Sequence, residues 1–338
     1  MNIGLLGAGS WAIALAVLLC KRNHQVSMWE FDKNEAKNLS LKREHTIKLP
    51  GIIIPENVLI TNDLEELFSD QDYIICAVPA QTVRQTFRLI KKNVNRQNIN
   101  TIRSWVIVSK GIECSTLSLV SDVILDEITD ITKDSIGVLS GPSHAEEVSR
   151  DIPTTVVAAS INNDLAIEIQ NQFSTDTFRI YTNNDIIGVE LCASIKNIIA
   201  LAAGICDGLG FGDNTKGALL TRGMVEMTRL GKKMGANEAT FSGLAGFGDL
   251  ITTCISRHSR NRKMGELIAS GLTLEKALEK MVMVAEGIET TKSVYQLAKK
   301  NNIDMPITNE VYKTLFEGQS PLEAVRALMI RQFKPEGI

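Results

Sequence analysis

The sequence lacks paired cysteines and clustered histidines, the features that identify a disulfide scaffold or a metal site. Its six cysteines are scattered without a Cys-x-x-Cys motif, and no histidine stands nearby at metal-ligand spacing. We therefore assign no metal site and expect the thiols to be small apolar core residues in a reducing cytoplasm. The cysteines are Cys20, Cys76, Cys114, Cys192, Cys206 and Cys254.

A strong charge imbalance is also missing. The net charge of −3 and the pI near 5.9 exclude a dominant attraction to nucleic acid or to anionic lipid. The sequence contains no internal repeat and no low-complexity linker. With 338 residues, 44% of them hydrophobic and 22% charged, it predicts a globular protein of two domains.

The chain has no uninterrupted apolar run near its start. The segment from Ile3 to Cys20 contains three glycines and a tryptophan, and its first cations, Lys21 and Arg22, follow it rather than precede it. This order of charges is the reverse of a signal sequence. We therefore expect neither a secretory signal nor insertion into a membrane.

The first thirty residues carry the most informative pattern. An apolar run from Ile3 to Leu6 meets the glycine turn of residues 7–12, and a helical pattern then continues to Arg22. A second apolar stretch, Val26 to Trp29, ends at the acidic residue Glu30. Strand, glycine turn, helix, strand and acid at this spacing predict a dinucleotide-binding βαβ unit.

Each residue type has a physical role in such a unit. Gly7 permits the tight turn, and Gly9 lacks a Cβ, so that the backbone can approach a pyrophosphate. Ala12 is small enough for the helix to pack on the sheet, and the first N–H groups of the helix face the phosphates. Glu30 stands where an acid bonds the adenosine ribose hydroxyls and repels a 2′-phosphate.

The rest of the chain divides into two patterns. Strand and helix alternate to about residue 185, and helical periodicity without clear strands follows. We predict an α/β protein: an N-terminal Rossmann-like doubly wound sheet over residues 1–187, an all-α C-terminal domain over residues 188–338, and a cleft between them. The predicted later strands are Val58–Ile60, Tyr73–Val78, Trp105–Val108, Ser135–Leu139, Thr154–Ala159 and Phe178–Tyr181.

Two polar loops follow predicted strands of the sheet. They are Ser109-Lys110-Gly111 and Ser140-Gly141-Pro142-Ser143. Ligands of open α/β sheets bind beyond the carboxyl ends of the strands, and Lys110 would place a cation there. Ordinary turn chemistry explains the same residue types without any function.

Lys196 lies in a helical segment that is apolar on every face. Such a helix is a buried one, and a buried ammonium costs several kcal/mol unless it is paired or titrated. Lys196 is therefore expected to meet a carboxylate, a carbonyl or a substrate. The alternative is a lysine that extends to the edge of the helix.

Three later segments carry further candidate groups. Asp213 and Asp249 end glycine-rich loops, where each could simply be a helix N-cap. The run from Ser256 to Lys263 contains four formal cations besides its histidine. It predicts either a solvated basic face or a phosphate-binding set of arginine, serine and asparagine.

Taken together, these motifs resemble the NAD(P)-dependent glycerol-3-phosphate dehydrogenases of bacterial type. The resemblance runs in order from Asn2 to about Arg326. It is carried by Gly7-Ala-Gly-Ser-Trp11, Ser109-Lys-Gly-Ile-Glu113, Gly141-Pro-Ser-His-Ala-Glu-Glu-Val148, Lys196-Asn-Ile198, Gly208-Leu-Gly-Phe-Gly-Asp-Asn-Thr-Lys216, Gly243-Leu-Ala-Gly-Phe-Gly-Asp249, Ser259-Arg-Asn-Arg262 and Val284-Ala-Glu-Gly287.

The resemblance implies reversible reduction of dihydroxyacetone phosphate to sn-glycerol 3-phosphate by a cytoplasmic homodimer, in lipid and carbohydrate metabolism and for phospholipid biosynthesis. It implies catalysis by Lys196 as general acid/base, with Lys110 and Asp249. It places Lys110, Gly141, Ser143, Lys196, Asp249, Ser259, Arg260 and Asn261 around the substrate. The implied dinucleotide-binding residues are Gly7, Gly9, Ser10, Trp11, Glu30, Phe31, Lys110, Ala145, Arg260, Val284 and Glu286.

The sequence departs from the family after the second strand. The family often has a basic residue there, suited to a 2′-phosphate, whereas this chain has Glu30-Phe31-Asp32. Two acids without a cation predict a preference for NAD(H) by like-charge repulsion, although NADP(H) remains compatible with the family. Ala12 replaces the usual third glycine, a tolerated change.

Two other classes fit parts of the pattern. The β-hydroxyacid and 6-phosphogluconate dehydrogenases also use a lysine of a helical domain, but in a Lys-x-x-x-Asn pattern, whereas Asn197 directly follows Lys196 here. A non-catalytic NAD(H)-binding sensor would share the fold but leaves the buried Lys196 unexplained.

Overall fold

The computed structural model describes residues 1–333, 335 and 336, and the chain divides into two compact units. The first unit comprises Met1–Lys110 and Leu119–Ile186, and the second comprises Gly111–Ser118 and the residues from Ile187 onward. The short segment Gly111–Ser118 was not predicted to belong to the helical unit. It is held there by Ser293, whose hydroxyl donates to the Ile112 carbonyl at 2.9 Å.

An eight-stranded sheet forms the centre of the first unit, in the order β3-β2-β1-β4-β5-β6-β7-β8. The first six strands follow the Rossmann order 3-2-1-4-5-6, which confirms the predicted doubly wound fold. All neighbouring pairs are parallel except β6 and β7, which are antiparallel. The strands are β1 (Asn2–Leu6), β2 (Gln25–Trp29), β3 (Leu59–Thr61), β4 (Tyr73–Cys76), β5 (Ser104–Ile107), β6 (Ile136–Ser140), β7 (Thr154–Ala159) and β8 (Phe178–Asn183).

Helices accompany this sheet. Their buried faces pack on central strands that are themselves buried throughout, as in β4 and β5. The cap of one short helix follows the expected chemistry, since Asp63 accepts the backbone N–H of Glu65. The helices are α1 (Ser10–Lys21), α2 (Lys33–Lys42), α3 (Leu64–Phe68), α4 (Val83–Asn93), α5 (Arg96–Thr101), α6 (Val120–Glu127), α7 (Ala145–Val148) and α8 (Asn163–Phe173).

The second unit contains helices and no strand among its described residues. Its helices are α9 (Ile186–Gly208), α10 (Asp213–Lys233), α11 (Glu238–Phe241), α12 (Asp249–Ile255), α13 (Arg260–Ala269), α14 (Leu274–Glu279), α15 (Gly287–Lys300), α16 (Pro306–Phe316) and α17 (Pro321–Met329). A π-helical turn, Leu244–Gly248, directly precedes α12.

The long helix α9 is the core of the second unit. Every residue from Gly188 to Cys206 is buried, as the all-round apolar pattern predicts. Among the described helices it alone has the length and composition to cross a membrane, with a mean hydropathy of 1.8, but 94% of that stretch is buried within the protein. A core helix meets the same criteria.

Glycines allow α9, α13 and α15 to meet at backbone distance. A Cβ on Gly204 of α9 would overlap the Arg262 carbonyl of α13, and one on Gly265 would overlap the Leu201 carbonyl. A Cβ on Gly287, the first residue of α15, would lie 2.8 Å from the Asn197 carbonyl oxygen. The chain thereby brings the start of α13 and the start of α15 close to the central turns of α9.

Candidate active site

The turn after β1 has the geometry expected of a pyrophosphate-binding turn. Gly7 adopts a φ of 107°, and a Cβ there would lie 3.2 Å from the Ala77 carbonyl oxygen. Gly9 is the N-cap of α1, which no side chain caps, and no heavy atom lies within 4 Å of the place its Cβ would occupy. The first-turn N–H groups, which include those of Ser10 and Trp11, therefore border a space that suits an anion.

The acids after β2 have different roles. The carboxylate of Asp32 accepts the N–H groups of Asn34 and Glu35, both at 2.8 Å, and so caps α2. Glu30 follows β2 directly, and its Oε1 accepts the Asp32 N–H at 3.1 Å. The ring of Phe31 is 65% exposed beside them. Asp32 therefore caps the helix, whereas Glu30 does not.

Lys110, Gly141 and Ser143 lie together beyond the carboxyl ends of β5 and β6. Lys110 Nζ is 3.3 Å from the Gly141 carbonyl oxygen, and the Ser143 hydroxyl donates to the same oxygen at 2.8 Å. Gly141 adopts a φ of 138°, and a Cβ there would lie 2.9 Å from the Val156 Cα. The backbone thus brings two strand-end loops together as the sequence analysis expected. Ala145, buried, begins α7 in the same segment.

Lys196 is the buried cation of the second unit. Its side chain is 5% exposed, and its Nζ donates to Asp249 Oδ1 at 2.8 Å and to Thr253 Oγ1 at 2.6 Å. It does not extend to the edge of the helix, so that alternative is wrong. The carboxylate that a buried ammonium needs is supplied by α12.

This ion pair lies among buried residues. Burial raises the pKa of the neighbouring Cys254 thiol to about 12; the charge of Lys196 lowers this pKa by a smaller amount, and the charge of Asp249 raises it further. Cys254 therefore stays protonated at neutral pH and behaves as an apolar neighbour. In such surroundings a charged hydrogen bond to a reacting oxygen is stronger than in water.

Neither of the two acids after glycine loops is a helix N-cap. Gly212 and Gly248 occupy the N-cap positions, and Asp213 and Asp249 are the first helical residues. The alternative that Asp249 is simply a helix N-cap is therefore wrong, because its carboxylate faces Lys196 rather than the first turn of its own helix.

Sequence reasoning missed Thr253. Its hydroxyl donates to the Asp249 carbonyl at 2.6 Å while it accepts from Lys196. Thr253 lies one helical turn after Asp249 and is buried, so the spacing of four residues was the available signal. Asn197, buried beside Lys196, donates to the Ala193 carbonyl at 3.3 Å.

The first turn of α13 collects the predicted phosphate-binding residues. Ser259 is the N-cap, and its hydroxyl accepts the Arg262 N–H at 3.2 Å. Asn261 is buried, and its Oδ1 accepts the Gly287 N–H at 2.9 Å, which orients the amide. A helix N-terminus bearing an arginine and an amide is an anion-binding arrangement.

Arg260 also contacts the segment before α15. Its Nη1 donates to the Val284 carbonyl at 3.2 Å, and the Val284 side chain is 54% exposed. Glu286 is the N-cap of α15. The structure therefore brings Arg260 and Val284, two of the predicted dinucleotide-binding residues, into contact.

The basic run from Ser256 to Lys263 is only partly a solvated face. Arg262 is turned toward the protein, where its Nε donates to Asp207 at 2.6 Å and its Nη2 lies 3.0 Å from Glu266.

Among the described residues, no three histidine, cysteine, aspartate or glutamate side chains gather into a set that could hold a metal ion.

Comparison with known proteins identifies the relatives of this chain. The sequence profile of the NAD-dependent glycerol-3-phosphate dehydrogenase N-terminus matches residues 2–166, and that of its C-terminus matches residues 185–326. A glycerol-3-phosphate dehydrogenase (NAD(P)+) of Thermoanaerobacter sp. (strain X514) is 48% identical over 336 residues, with 99% of each chain covered. The Fusobacterium nucleatum enzyme of the same name is 45% identical, covering 99% of this chain and 98% of its own.

The fold has the same relatives. The crystal structure of glycerol-3-phosphate dehydrogenase from Coxiella burnetii superposes with a TM-score of 0.92 at 34% identity. The superposition covers 98% of this chain and 99% of the other. Both units and the segment order of the chain are therefore shared with that enzyme.

Proposed function

Because the chain belongs to the NAD-dependent glycerol-3-phosphate dehydrogenase family, we propose that it interconverts dihydroxyacetone phosphate and sn-glycerol 3-phosphate with a nicotinamide dinucleotide. The observation that supports this most directly is the buried ammonium of Lys196, held by Asp249 and Thr253. A ketone that accepts a hydride needs a proton donor and a positive charge beside its oxygen, and Lys196 supplies both.

The proton transfer is assigned to Lys196 Nζ. A nicotinamide dinucleotide, when bound, would supply the hydride for the carbonyl carbon. As the carbonyl oxygen becomes an alkoxide, Lys196 donates a proton to it, and in the reverse direction the same nitrogen accepts the hydroxyl proton. Asp249 and Thr253 orient the ammonium throughout, and solvent returns the proton.

The substrate phosphate is assigned to the first turn of α13. Ser259, Arg260 and Asn261 combine a hydroxyl, a guanidinium and an amide with the positive end of a helix. Binding energy from this phosphate, remote from the carbonyl, positions the reacting carbon. Lys110, Gly141 and Ser143 are assigned to the substrate as well.

The dinucleotide is assigned to the turn after β1, to the residues after β2 and to four further segments. The arrangement fits, because Gly9 leaves open space and the first N–H groups of α1 have no side-chain cap. Glu30 would bond the ribose hydroxyls, and Phe31 offers an exposed ring beside it. The remaining contacts are assigned to Ser10, Trp11, Lys110, Ala145, Arg260, Val284 and Glu286.

We further propose a homodimer that works in the cytoplasm and supplies glycerophospholipid synthesis. All six cysteines are thiols, which suits a reducing compartment. Helix α17 exposes Leu322 and Met329, and Ile330 directly after it is also exposed; this is an apolar surface of the kind through which subunits pair.

The reaction is tested by following NADH absorbance with dihydroxyacetone phosphate, and in parallel with 3-oxo acids. We expect rapid oxidation with the phosphorylated ketone and little with the acids. Preference for a carboxylate substrate would favour the β-hydroxyacid dehydrogenases. Tight NADH binding without turnover on either substrate would favour a sensor.

The preference for NAD(H) rests on Glu30. Two unit charges about 4 Å apart repel by about 1 kcal/mol even in water, so wild type should have a several-fold higher kcat/KM with NADH than with NADPH. Glu30→Gln should lower the ratio of kcat/KM with NADH to kcat/KM with NADPH. Asp32→Asn removes the other acid and is the matched comparison; it should lower this ratio less, because the Asp32 carboxylate is engaged by the N–H groups of Asn34 and Glu35. Equal turnover of the wild type with both cofactors at low concentration would contradict the preference.

A further inference from the structure

Asp207 joins three helices of the second unit through one carboxylate. It lies near the C-terminal end of α9, about three helical turns beyond Lys196. Its Oδ1 lies 2.6 Å from Lys216 Nζ in the first turn of α10, and its Oδ2 accepts from Arg262 Nε in the first turn of α13 at 2.6 Å. The Asp207 side chain is 15% exposed, so this network is largely shielded from water.

The position of Asp207 is unfavourable for α9 itself. The C-terminal end of a helix carries a partial negative charge, which disfavours an anion. Burial raises the pKa of Asp207, but hydrogen bonds from Lys216 and Arg262 outweigh it, so the pKa lies below its usual value. The carboxylate is therefore ionised at neutral pH, and its role concerns the two cations rather than the helix that carries it.

Arg262 connects Asp207 to the first turn of α13. Its backbone N–H is bound by the Ser259 hydroxyl, and its carbonyl packs directly on Gly204 of α9. Its guanidinium is shared between Asp207 and Glu266. Arg262 directly follows Asn261, so a shift of Arg262 along α9 would carry the first turn of α13 with it.

We propose that Asp207 is a positioning residue for the substrate phosphate: through Arg262 it fixes the first turn of α13 relative to α9. Ser259, Arg260 and Asn261 are thereby held at a set distance from Lys196, which lies on the same helix as Asp207. The inference rests on the proposed function, because it assumes that these three residues bind the phosphate of dihydroxyacetone phosphate.

The proposal separates phosphate binding from proton transfer. Asp207→Asn removes the charge that holds both cations, while the contacts of Lys196 with Asp249 and Thr253 remain in place. Misplacement of a binding group by a fraction of an ångström to an ångström costs up to about 100-fold in rate. The loss should fall on substrates that carry the phosphate.

The test compares dihydroxyacetone phosphate with dihydroxyacetone, which has the same carbonyl but no phosphate. For Asp207→Asn we expect kcat/KM to fall about tenfold or more with the phosphorylated ketone, mainly through KM, and to change less than about twofold with dihydroxyacetone. Inorganic phosphate competes with the phosphorylated substrate, and its inhibition constant should rise by a similar factor. Asp207→Glu, which keeps the carboxylate, should recover part of the loss.

Controls distinguish this role from general stability. Asp304→Asn breaks another ion pair of the same unit, with Arg331 at 2.8 Å, and should leave both substrates unaffected. Arg262→Lys offers a second variant with the same expected effect as Asp207→Asn. Equal losses on both ketones, no loss at all, or failure of both variants to fold would overturn the proposal. If the wild type itself failed to reduce dihydroxyacetone phosphate, the proposed function would fail instead.

Discussion

Two buried carboxylates of the second unit, Asp249 and Glu226, have different partners and therefore different roles. Asp249 accepts from the ammonium of Lys196. Glu226, on α10, accepts the backbone N–H groups of Ile307 and Thr308 and the Thr308 hydroxyl, so it caps the start of α16. One carboxylate binds a buried cation, and the other holds a helix in place.

Glu226 should make the stability of the protein depend on pH. Burial raises its pKa to about 7, with smaller opposing effects from the three hydrogen bonds and Arg229. A carboxyl whose pKa is raised on folding contributes to the stability of the folded protein. This contribution is complete below the pKa of the unfolded state and is lost as the pH rises through about 7. The loss amounts to about 3 kcal/mol between pH 4.5 and pH 7.

The variant Glu226→Gln isolates this contribution, because its amide does not titrate. At pH 5 we expect the wild type to be more stable, since the glutamine amide nitrogen cannot accept the N–H groups of α16. The difference in free energy of unfolding between the two proteins should narrow toward pH 8. Urea unfolding at both pH values measures it, and parallel pH profiles for the two proteins would refute the assignment.

At the scale of elements, the site depends on how closely α9, α13 and α15 approach. Gly204, Gly265 and Gly287 each stand where a Cβ would strike a carbonyl of a neighbouring helix. Glycine lowers helix stability by about 1 kcal/mol relative to alanine, so its presence within α9 needs a packing reason. That reason is the backbone contact that places the first turn of α13 beside α9.

Gly204→Ala should therefore destabilise the protein by about 1–3 kcal/mol despite the higher helix propensity of alanine. It should also raise KM for dihydroxyacetone phosphate, because α13 has to move away. Gly217→Ala is the matched control: a Cβ there meets nothing within 4 Å, so this variant should be neutral or slightly more stable. Thermal unfolding and steady-state kinetics of the pair decide; a Gly204→Ala protein as stable and active as the control would be inconsistent with the packing described.

Local patterns predicted the elements that depend on neighbours in sequence. The β1-α1-β2 segment and the burial of α9 follow from spacing and residue type. The antiparallel pairing of β6 with β7 could not be predicted, because an apolar strand does not encode the direction of its neighbour. The same holds for Gly111–Ser118, which is tied to the distant residue Ser293.

The candidate site could likewise be predicted only where its residues depend on neighbours in sequence. Lys196 had to find a carboxylate, and Asp249 was among the candidates, but nothing local indicated that the two would meet. Thr253 and Asp207 had no signal beyond their place on a helix, because their roles depend on residues far away in sequence. The family resemblance placed Lys196 and Asp249 at one site but included neither Thr253 nor Asp207.

At the scale of the whole molecule, the two units carry different parts of the proposed reaction. The first unit has the glycine turn, Glu30 at the proposed ribose position and the strand-end group around Lys110. The second has Lys196 with its partners and the first turn of α13, together with the proposed dinucleotide contacts Arg260, Val284 and Glu286. Dinucleotide binding and proton transfer should therefore be separable by mutation.

The most direct test of the account is Lys196→Ala, assayed by NADH oxidation with dihydroxyacetone phosphate and by NADH binding. We expect kcat to fall about 10²- to 10⁴-fold, the usual worth of a positioned acid/base, while NADH binding is retained. Lys232→Ala, which removes an exposed lysine paired with Glu238 in the same unit, is the control and should keep full activity. A Lys196→Ala enzyme with a kcat near that of the wild type would contradict the assignment of proton transfer to this residue.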